Sequence, residues 1–271
     1  MRLVTFDSGD GPRAGVMVDD GVATLGEARD VGDLLRAGPL SGLTVDGEVT
    51  PLADVRLLPP VLAPGKIVCI GLNYGAHAAE AGLEPPEVPT FFAKWANALA
   101  APGAAVELPA YSSKVDFEAE VAFVIGSRAK DVSEAEALAH VAGYTLLNDL
   151  SARDYQFKTP QWMPGKVFDG SAPCGPALVT PDEAGPHDAI EIELTLNGET
   201  MQSASTADLV HAVPALVAYL STLMTLEPGD LIATGTPAGV GSTRDPRVWL
   251  KPGDEIVVSS PTLGVLETRL A

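Results

Sequence analysis

The stretch Val115-Asp116-Phe117-Glu118-Ala119-Glu120, continued through Ile125, has the alternating pattern of a β-strand. Successive side chains of a strand point to opposite faces, so Val115, Phe117, Ala119, Val121 and Phe123 share a face that belongs in a core. Asp116, Glu118 and Glu120 share the other face, with neighbouring carboxylates roughly 7 Å apart along it. Like charges at that spacing repel, and either solvent or a bound cation must offset them. From this stretch alone, a half-exposed acidic strand and a divalent-cation site are both open.

A second group of acids follows. Asn148-Asp149 comes directly after the apolar strand pattern Tyr144 to Leu147, and Ser151-Ala152-Arg153-Asp154 comes after that. An acid at the end of a buried strand is well placed to be a fixed ligand, and oxygen-only ligation suits Mg²⁺, Mn²⁺ or Ca²⁺. The four histidines, at 77, 140, 187 and 211, have no close metal-ligand spacing, which disfavours zinc.

Other residues carry weaker signals. His77 and Glu80 stand three apart and so share a helix face. A carboxylate beside an imidazole fixes its tautomer and makes it a better base, although the same spacing also suits a surface pair. Lys166 is no P-loop lysine, because Pro160 stands where the motif needs glycine and Val167 where it needs Ser or Thr. Taken alone it reads as a surface residue. The loop Thr234-Gly235-Thr236-Pro237-Ala238-Gly239-Val240-Gly241 offers backbone N–H groups and hydroxyls that could cradle a carboxylate, with an ordinary loop as the alternative.

The chain of 271 residues has 46% hydrophobic and 20% charged residues, a globular composition with enough length for a sizeable core. Its formal net charge of -19 argues against nucleic acid or an anionic membrane surface as partner. No apolar run approaches the roughly 18 residues of a transmembrane helix, and the N-terminus lacks the apolar centre of a signal peptide. Cys69 and Cys174 form no CxxC pair and are expected as buried free thiols in a reducing, cytoplasmic setting.

Residues 1–62 are expected to form a small N-terminal module, with strands at Arg2 to Phe6 and Ala14 to Val18 and a short helix from Val31 to Ala37. Pro59 to Gly65 reads as a linker, and residues 63–271 as the catalytic domain. There, Lys66 to Gly71 predicts a buried strand. Asn73 is expected to cap the helix carrying His77 and Glu80, with Gly82 ending it. Ser133 and Glu136 form a capping box for a helix that Gly143 can terminate. Asn197-Gly198 predicts a hairpin turn, and Pro214 the first turn of a helix. Pro228-Gly229-Asp230 and Pro252-Gly253-Asp254 are turns into strands. Strands and helices do not alternate regularly, which argues against a doubly wound parallel sheet.

Taken in order, these motifs resemble the fumarylacetoacetate hydrolase family, in particular its bacterial acylpyruvate hydrolase and 2-hydroxyhepta-2,4-diene-1,7-dioate isomerase group. The matching stretches are Gly71 to Glu80, Val115 to Glu120, Gly143 to Asp154, Gln161-Trp162, Gly165 to Asp169, Leu226 to Asp230 and Thr234 to Pro237. The resemblance implies a β-rich α+β fold, a mixed β-sandwich roll with a small N-terminal β/α module, commonly dimeric. It implies Mg²⁺ or Mn²⁺ held by Glu118, Glu120 and Asp149. It makes His77 and Glu80 an acid-base pair on a mobile lid and Lys166 an active-site lysine. It also makes Gln156, Thr236 and Lys94 substrate contacts. Ala76 departs from the aspartate often found before the lid histidine, and Pro214 from a helix-compatible residue. The implied activity is cleavage of a C–C bond in a 2,4-dioxo acid to release pyruvate. Oxaloacetate decarboxylation or isomerisation of an unsaturated oxo acid is the close rival, and a non-catalytic metal-binding protein is the alternative of another class.

Overall fold

A computed structural model describes residues 1–19, 21–45 and 47–271. The strand Ala119–Ile125 lies in the interior of a large mixed sheet. On one side it pairs antiparallel with Val141–Asn148, register Ala119 to Asn148. On the other it pairs antiparallel with Leu231–Ala233. Beyond the latter, Ile67–Gly71 runs parallel to it and Thr90–Lys94 closes that edge. In the other direction Ala172–Val179 leads to Arg2–Asp7, so the N-terminal strands extend the same sheet.

The alternation in the sequence becomes two cores. Val115, Phe117, Ala119, Val121, Phe123 and Ile125 pack in one cluster with Leu194, Ile256 and Val258 of a facing five-stranded sheet and with Val213, Leu216 and Leu220 of the helix Val213–Leu223. Ala122 and Val124, on the opposite face, join a second cluster with Cys69, Leu147 and Leu231, and with Val31 and Leu35 of the helix Val31–Ala37. The β-rich sandwich with few helices agrees with the expected fold class. The strand is therefore covered on both faces, and its acidic positions are buried.

Several local expectations hold. Asn197 and Gly198 take positive φ values of 52° and 83° between the hairpin strands Glu191–Leu196 and Glu199–Ser205. Pro214 sits in the first turn of its helix, and Cys69 and Cys174 are buried free thiols.

Others need correction. The stretch 115–125 is not one strand. Val115–Asp116 pairs separately with Ser151–Ala152, and the backbone breaks at Phe117 and Glu118 before the main strand begins. The capping box of Ser133 and Glu136 starts only the short helix Glu134–Ala137 and a 3₁₀ turn, and Gly143 lies inside the strand Val141–Asn148. Glycine is needed at 143 because the backbone of Val179 leaves no room for a Cβ. Asn73 does not cap the helix Gly75–Glu80, whose cap position is Tyr74. Its side chain instead bridges chain segments. It donates to the carbonyls of Thr234 (2.8 Å) and His211 (3.0 Å) and accepts from the His211 N–H (2.8 Å).

Candidate active site

Glu118 is placed by the break between the two strands, Glu120 by the second position of Ala119–Ile125, and Asp149 by the residue after Val141–Asn148. Backbone and side-chain bonds lock this junction. The Asp149 N–H donates to the Glu118 carbonyl (2.9 Å), and the Glu118 N–H to Asn148 Oδ1 (3.1 Å). One carboxylate oxygen from each of Glu118, Glu120 and Asp149 lies within 4.8 Å of the other two, and all three residues are buried.

Cations surround part of the triad. Lys166 Nζ bridges Glu118 Oε2 (2.5 Å) and Asp149 Oδ2 (2.8 Å), and it sits 4.9 Å from the centre of the Phe92 ring. Lys94 Nζ donates to Asp149 Oδ1 (2.5 Å) and to the Lys166 carbonyl. Arg153 reaches Glu118 Oε1 through Nη2 (2.7 Å), Asp116 Oδ2 through Nε (2.9 Å) and Gln156 Oε1 through Nη1 (3.0 Å). Lys166 is thus no surface residue, having 2% of its surface exposed. Burial works against its ammonium, but Asp149 and Glu118 outweigh burial and hold its pKa above the ordinary value. Burial likewise pushes Glu118 up, yet Arg153 and Lys166 carry it well below the usual carboxylate range.

His77 and Glu80 are an i,i+3 pair on one face of their short helix, with Nδ1 2.7 Å from Glu80 Oε1. The pair does not face open solvent. Glu80 Oε2 accepts the Gly239 N–H (2.9 Å), which seats the helix against the glycine-rich loop. That loop cradles carboxylates, but they are the protein's own. Gly235 N–H donates to Glu120 Oε2 (2.8 Å) and Gly241 N–H to Asp116 Oδ1 (2.7 Å), besides Gly239 to Glu80. Gly235 and Gly239 adopt φ of 98° and 105°, where other residues are strained.

A cavity of about 470 Å³ opens over this group. His77, Glu118, Glu120, Lys166, Gln156 and Thr236 all line it. Lys94 does not. It is buried and donates to Asp149. Thr236 accepts from Gln202 Nε2 (2.8 Å), and Gln202 Oε1 takes the Ala119 N–H (2.9 Å).

A family model described as fumarylacetoacetate (FAA) hydrolase C-terminal matches residues 66–271. The chain belongs to the fumarylacetoacetate hydrolase family. A second model, described as Rv2993c-like, N-terminal, matches residues 1–60. Among members of the fumarylacetoacetate hydrolase family, the chain is 40% identical over 288 residues to the oxaloacetate tautomerase FAHD2A, mitochondrial, of Bos taurus, covering 100% of this chain and 91% of that protein. The fumarylacetoacetate hydrolase structure from psychrophilic Exiguobacterium antarcticum superposes with a TM-score of 0.88 at 34% identity, covering 100% of this chain and 99% of that one. The 2-hydroxyhepta-2,4-diene-1,7-dioate isomerase structure from Mycobacterium marinum gives a TM-score of 0.84 at 36% identity, with 100% and 98% covered. Members of the family are enzymes, and this chain is one. No helix among the described residues is long and apolar enough to cross a membrane.

Whether this fumarylacetoacetate hydrolase family member is built for a divalent cation is tested by Glu120. It is buried and accepts the Gly235 N–H, but among the described residues no lysine, arginine or histidine forms an ion pair with it. Burial, then the neighbouring Asp149 and Glu118 carboxylates, push its pKa well above the ordinary value. The buried cluster holds four carboxylates, Asp116, Glu118, Glu120 and Asp149, against three cations, Lys94, Arg153 and Lys166. Oxygen ligands from three converging acids with a charge deficit at one of them suit a hard divalent ion. A buried acidic triad is therefore present, and the residues fit the cation.

Asp116 shares the acidic side of the alternating stretch with Glu118 and Glu120. It is fully buried, and it accepts from Gly241 N–H, from Ser242 N–H (3.0 Å) and from Arg153 Nε. It thus ties the loop 239–250 to the arginine that holds Glu118. The sequence signal for this network was Arg153 within Ser151-Ala152-Arg153-Asp154, where attention to the acids passed over the base between them. Asp116→Asn should cost about 2 kcal/mol of folding stability, because Arg153 keeps Glu118 and Gln156 but loses one of its two buried carboxylate partners. Urea denaturation measures this, and a loss below about 0.5 kcal/mol, the range of an ordinary surface change, would refute the role given to Asp116.

Proposed function

We propose that this enzyme catalyses keto–enol interconversion of a 2-oxo acid, with oxaloacetate as the first candidate, and that a divalent cation (Mg²⁺ or Mn²⁺) on Glu118, Glu120 and Asp149 is its cofactor. The observation that carries the reading is one cavity lined by His77, Glu118, Glu120 and Lys166, with Asp149 converging on the two glutamates and Glu80 paired to His77. The relatives named as an oxaloacetate tautomerase and a dienoate isomerase support enolisation ahead of the hydrolysis ranked first from the sequence.

The chemistry follows from the parts. A cation held by Glu118, Glu120 and Asp149 would supply Lewis-acid polarisation of a bound 2-oxo acid and so make its C3 position more acidic. Glu80 accepts a hydrogen bond from His77 Nδ1–H, which leaves the Nε2 lone pair as the base. His77 takes a proton from C3, and Glu80 stabilises the imidazolium that forms. Lys166, poised between Glu118 and Asp149, places positive charge and an N–H donor beside the oxygen that gains electron density. Transfer of that same proton from the imidazolium to the oxygen, through a water where needed, gives the enol and restores neutral His77, and the reverse sequence returns the ketone. Gln156 and Thr236, on the cavity wall, orient the substrate.

One observation favours a second reading. Beyond the triad the cavity is walled by Leu83, Phe157, Trp162 and Trp249, which offers an apolar surface to the acyl chain of a longer 2,4-dioxo acid. In that case His77 would deprotonate water for attack on the distal carbonyl, and pyruvate would be released.

The assay follows the ultraviolet absorbance of enol-oxaloacetate with protein in Mg²⁺ or Mn²⁺ and again in excess EDTA. The expected result is cation-dependent acceleration of the absorbance change without pyruvate formation. Pyruvate from oxaloacetate would replace the reading with decarboxylation, and pyruvate from acetylpyruvate alone with hydrolysis. Equal rates with and without protein would refute it.

A further inference from the structure

The outer rim of the cavity carries two cations that the chemistry above does not use. Lys114 and Arg247 both line it, and both are exposed. Among the described residues neither side chain has a carboxylate partner or makes a hydrogen bond within the protein. In a chain with 36 acids to 17 lysines and arginines, two cations without an acidic partner on one cavity rim make a local positive site that attracts an anionic ligand.

Their backbones are fixed. Lys114 precedes the short strand Val115–Asp116, and its carbonyl accepts the Arg153 N–H (3.0 Å). Arg247 rides on the loop that Asp116 anchors through Gly241 and Ser242. That loop closes on itself with Val248 N–H to the Gly241 carbonyl (3.0 Å). It returns to the strand through Leu250 N–H to the Val115 carbonyl (2.9 Å). The neighbouring Arg244 is taken up in holding the loop, donating to the carbonyls of Gly239 (3.0 Å) and Met201 (2.7 Å). The segments bearing Lys114 and Arg247 are thus joined to each other. Asp154 is the acid of this rim, and it accepts from Ser112 Oγ (2.5 Å) rather than from either cation.

We infer that Lys114 and Arg247 form a recognition site for the distal carboxylate of a dicarboxylic 2-oxo acid and are specificity-determining residues of this enzyme. The inference deepens the proposed function and rests on it for the placing of the substrate's 2-oxo end at the triad. Arg247 offers a planar fork and Lys114 a point charge, a pair suited to one carboxylate at the rim. An acidic protein surface repels a dianion, and these two cations offset that repulsion at the entrance.

The test compares 2-oxoglutarate with 2-oxopentanoate, which differ by a terminal carboxylate in place of a methyl group. Their dissociation constants are measured by calorimetry on the Mg²⁺-saturated protein. The parent protein should prefer 2-oxoglutarate. Since exposed ion pairs are each worth a few-fold, the double variant Lys114→Gln/Arg247→Gln should lower that preference by roughly tenfold. Arg247→Lys should recover part of it. Lys251→Gln/Arg269→Gln, which removes the same two charges away from the cavity, should leave the preference intact and so exclude a net-charge effect. A parent protein without the preference, or a double variant that keeps it, would overturn the inference. If the preference is present and lost as expected but oxaloacetate is not turned over, the proposed function fails while the rim site stands.

Discussion

Glu120→Gln is expected to give a protein that folds at least as firmly as the parent in EDTA, binds no divalent cation tightly and has lost its activity. Among the described residues Glu120 has no ion-pair partner, and burial with Asp149 and Glu118 raises its pKa. A raised carboxyl pKa means that the folded state keeps a proton which the unfolded chain gives up near its ordinary value of 4.5. Between that pH and the raised folded pKa, the contribution of this group to stability falls as pH rises. Glutamine removes the penalty and still offers an oxygen to the Gly235 N–H, so a gain of about 1–3 kcal/mol at neutral pH is expected. Cation binding needs the ionised carboxylate. In the parent protein it should therefore release a proton and tighten as pH rises through the Glu120 pKa. Calorimetry in two buffers of different ionisation enthalpy measures that proton. A variant that loses stability along with metal binding would mean that Glu120 is a structural acid.

His77→Gln should lower the rate of enolisation by about 10²–10⁴-fold while leaving cation binding in place. The imidazole lines the cavity beside the triad but is not one of the converging acids, so base and cation functions are separable. Glu80→Gln keeps the helix seated on Gly239 through an amide oxygen and removes the charge that supports the imidazolium. A smaller loss, about 10–100-fold, is expected from it. The readout is deuterium exchange at C3 of oxaloacetate by NMR. A His77→Gln protein with parental exchange rates would assign the base elsewhere.

The residues of this site differ in how legible they are. Glu118 and Glu120 stand out because strand alternation is a local property with period two. The Asn197-Gly198 hairpin and the Pro214 helix start are legible for the same reason, since φ preferences act within a few residues. Lys166 and Lys94 carry no local signature. They are buried because acids far away in the chain meet them, and only the ordered family motifs point to them. Asp116 and Arg153 went unread as a pair because their contact joins positions 37 apart and depends on the break at Phe117 and Glu118. The glycine-rich loop has the chemistry of a carboxylate cradle, and three of its N–H groups are taken by the protein's own acids. Its N–H groups do bind carboxylates, but only the fold reveals that Glu80, Glu120 and Asp116 arrive there. Asn73 likewise has the composition of a helix cap, and the crossing of the 211 and 234 segments beside it decides otherwise.

Mn²⁺ titration followed by electron paramagnetic resonance tests the cation site at the centre of this account. The parent protein should bind one Mn²⁺ per chain, displaceable by Mg²⁺, and Glu118→Gln, Glu120→Gln and Asp149→Asn should each abolish or greatly weaken that binding. Parental stoichiometry and affinity in all three variants would contradict it.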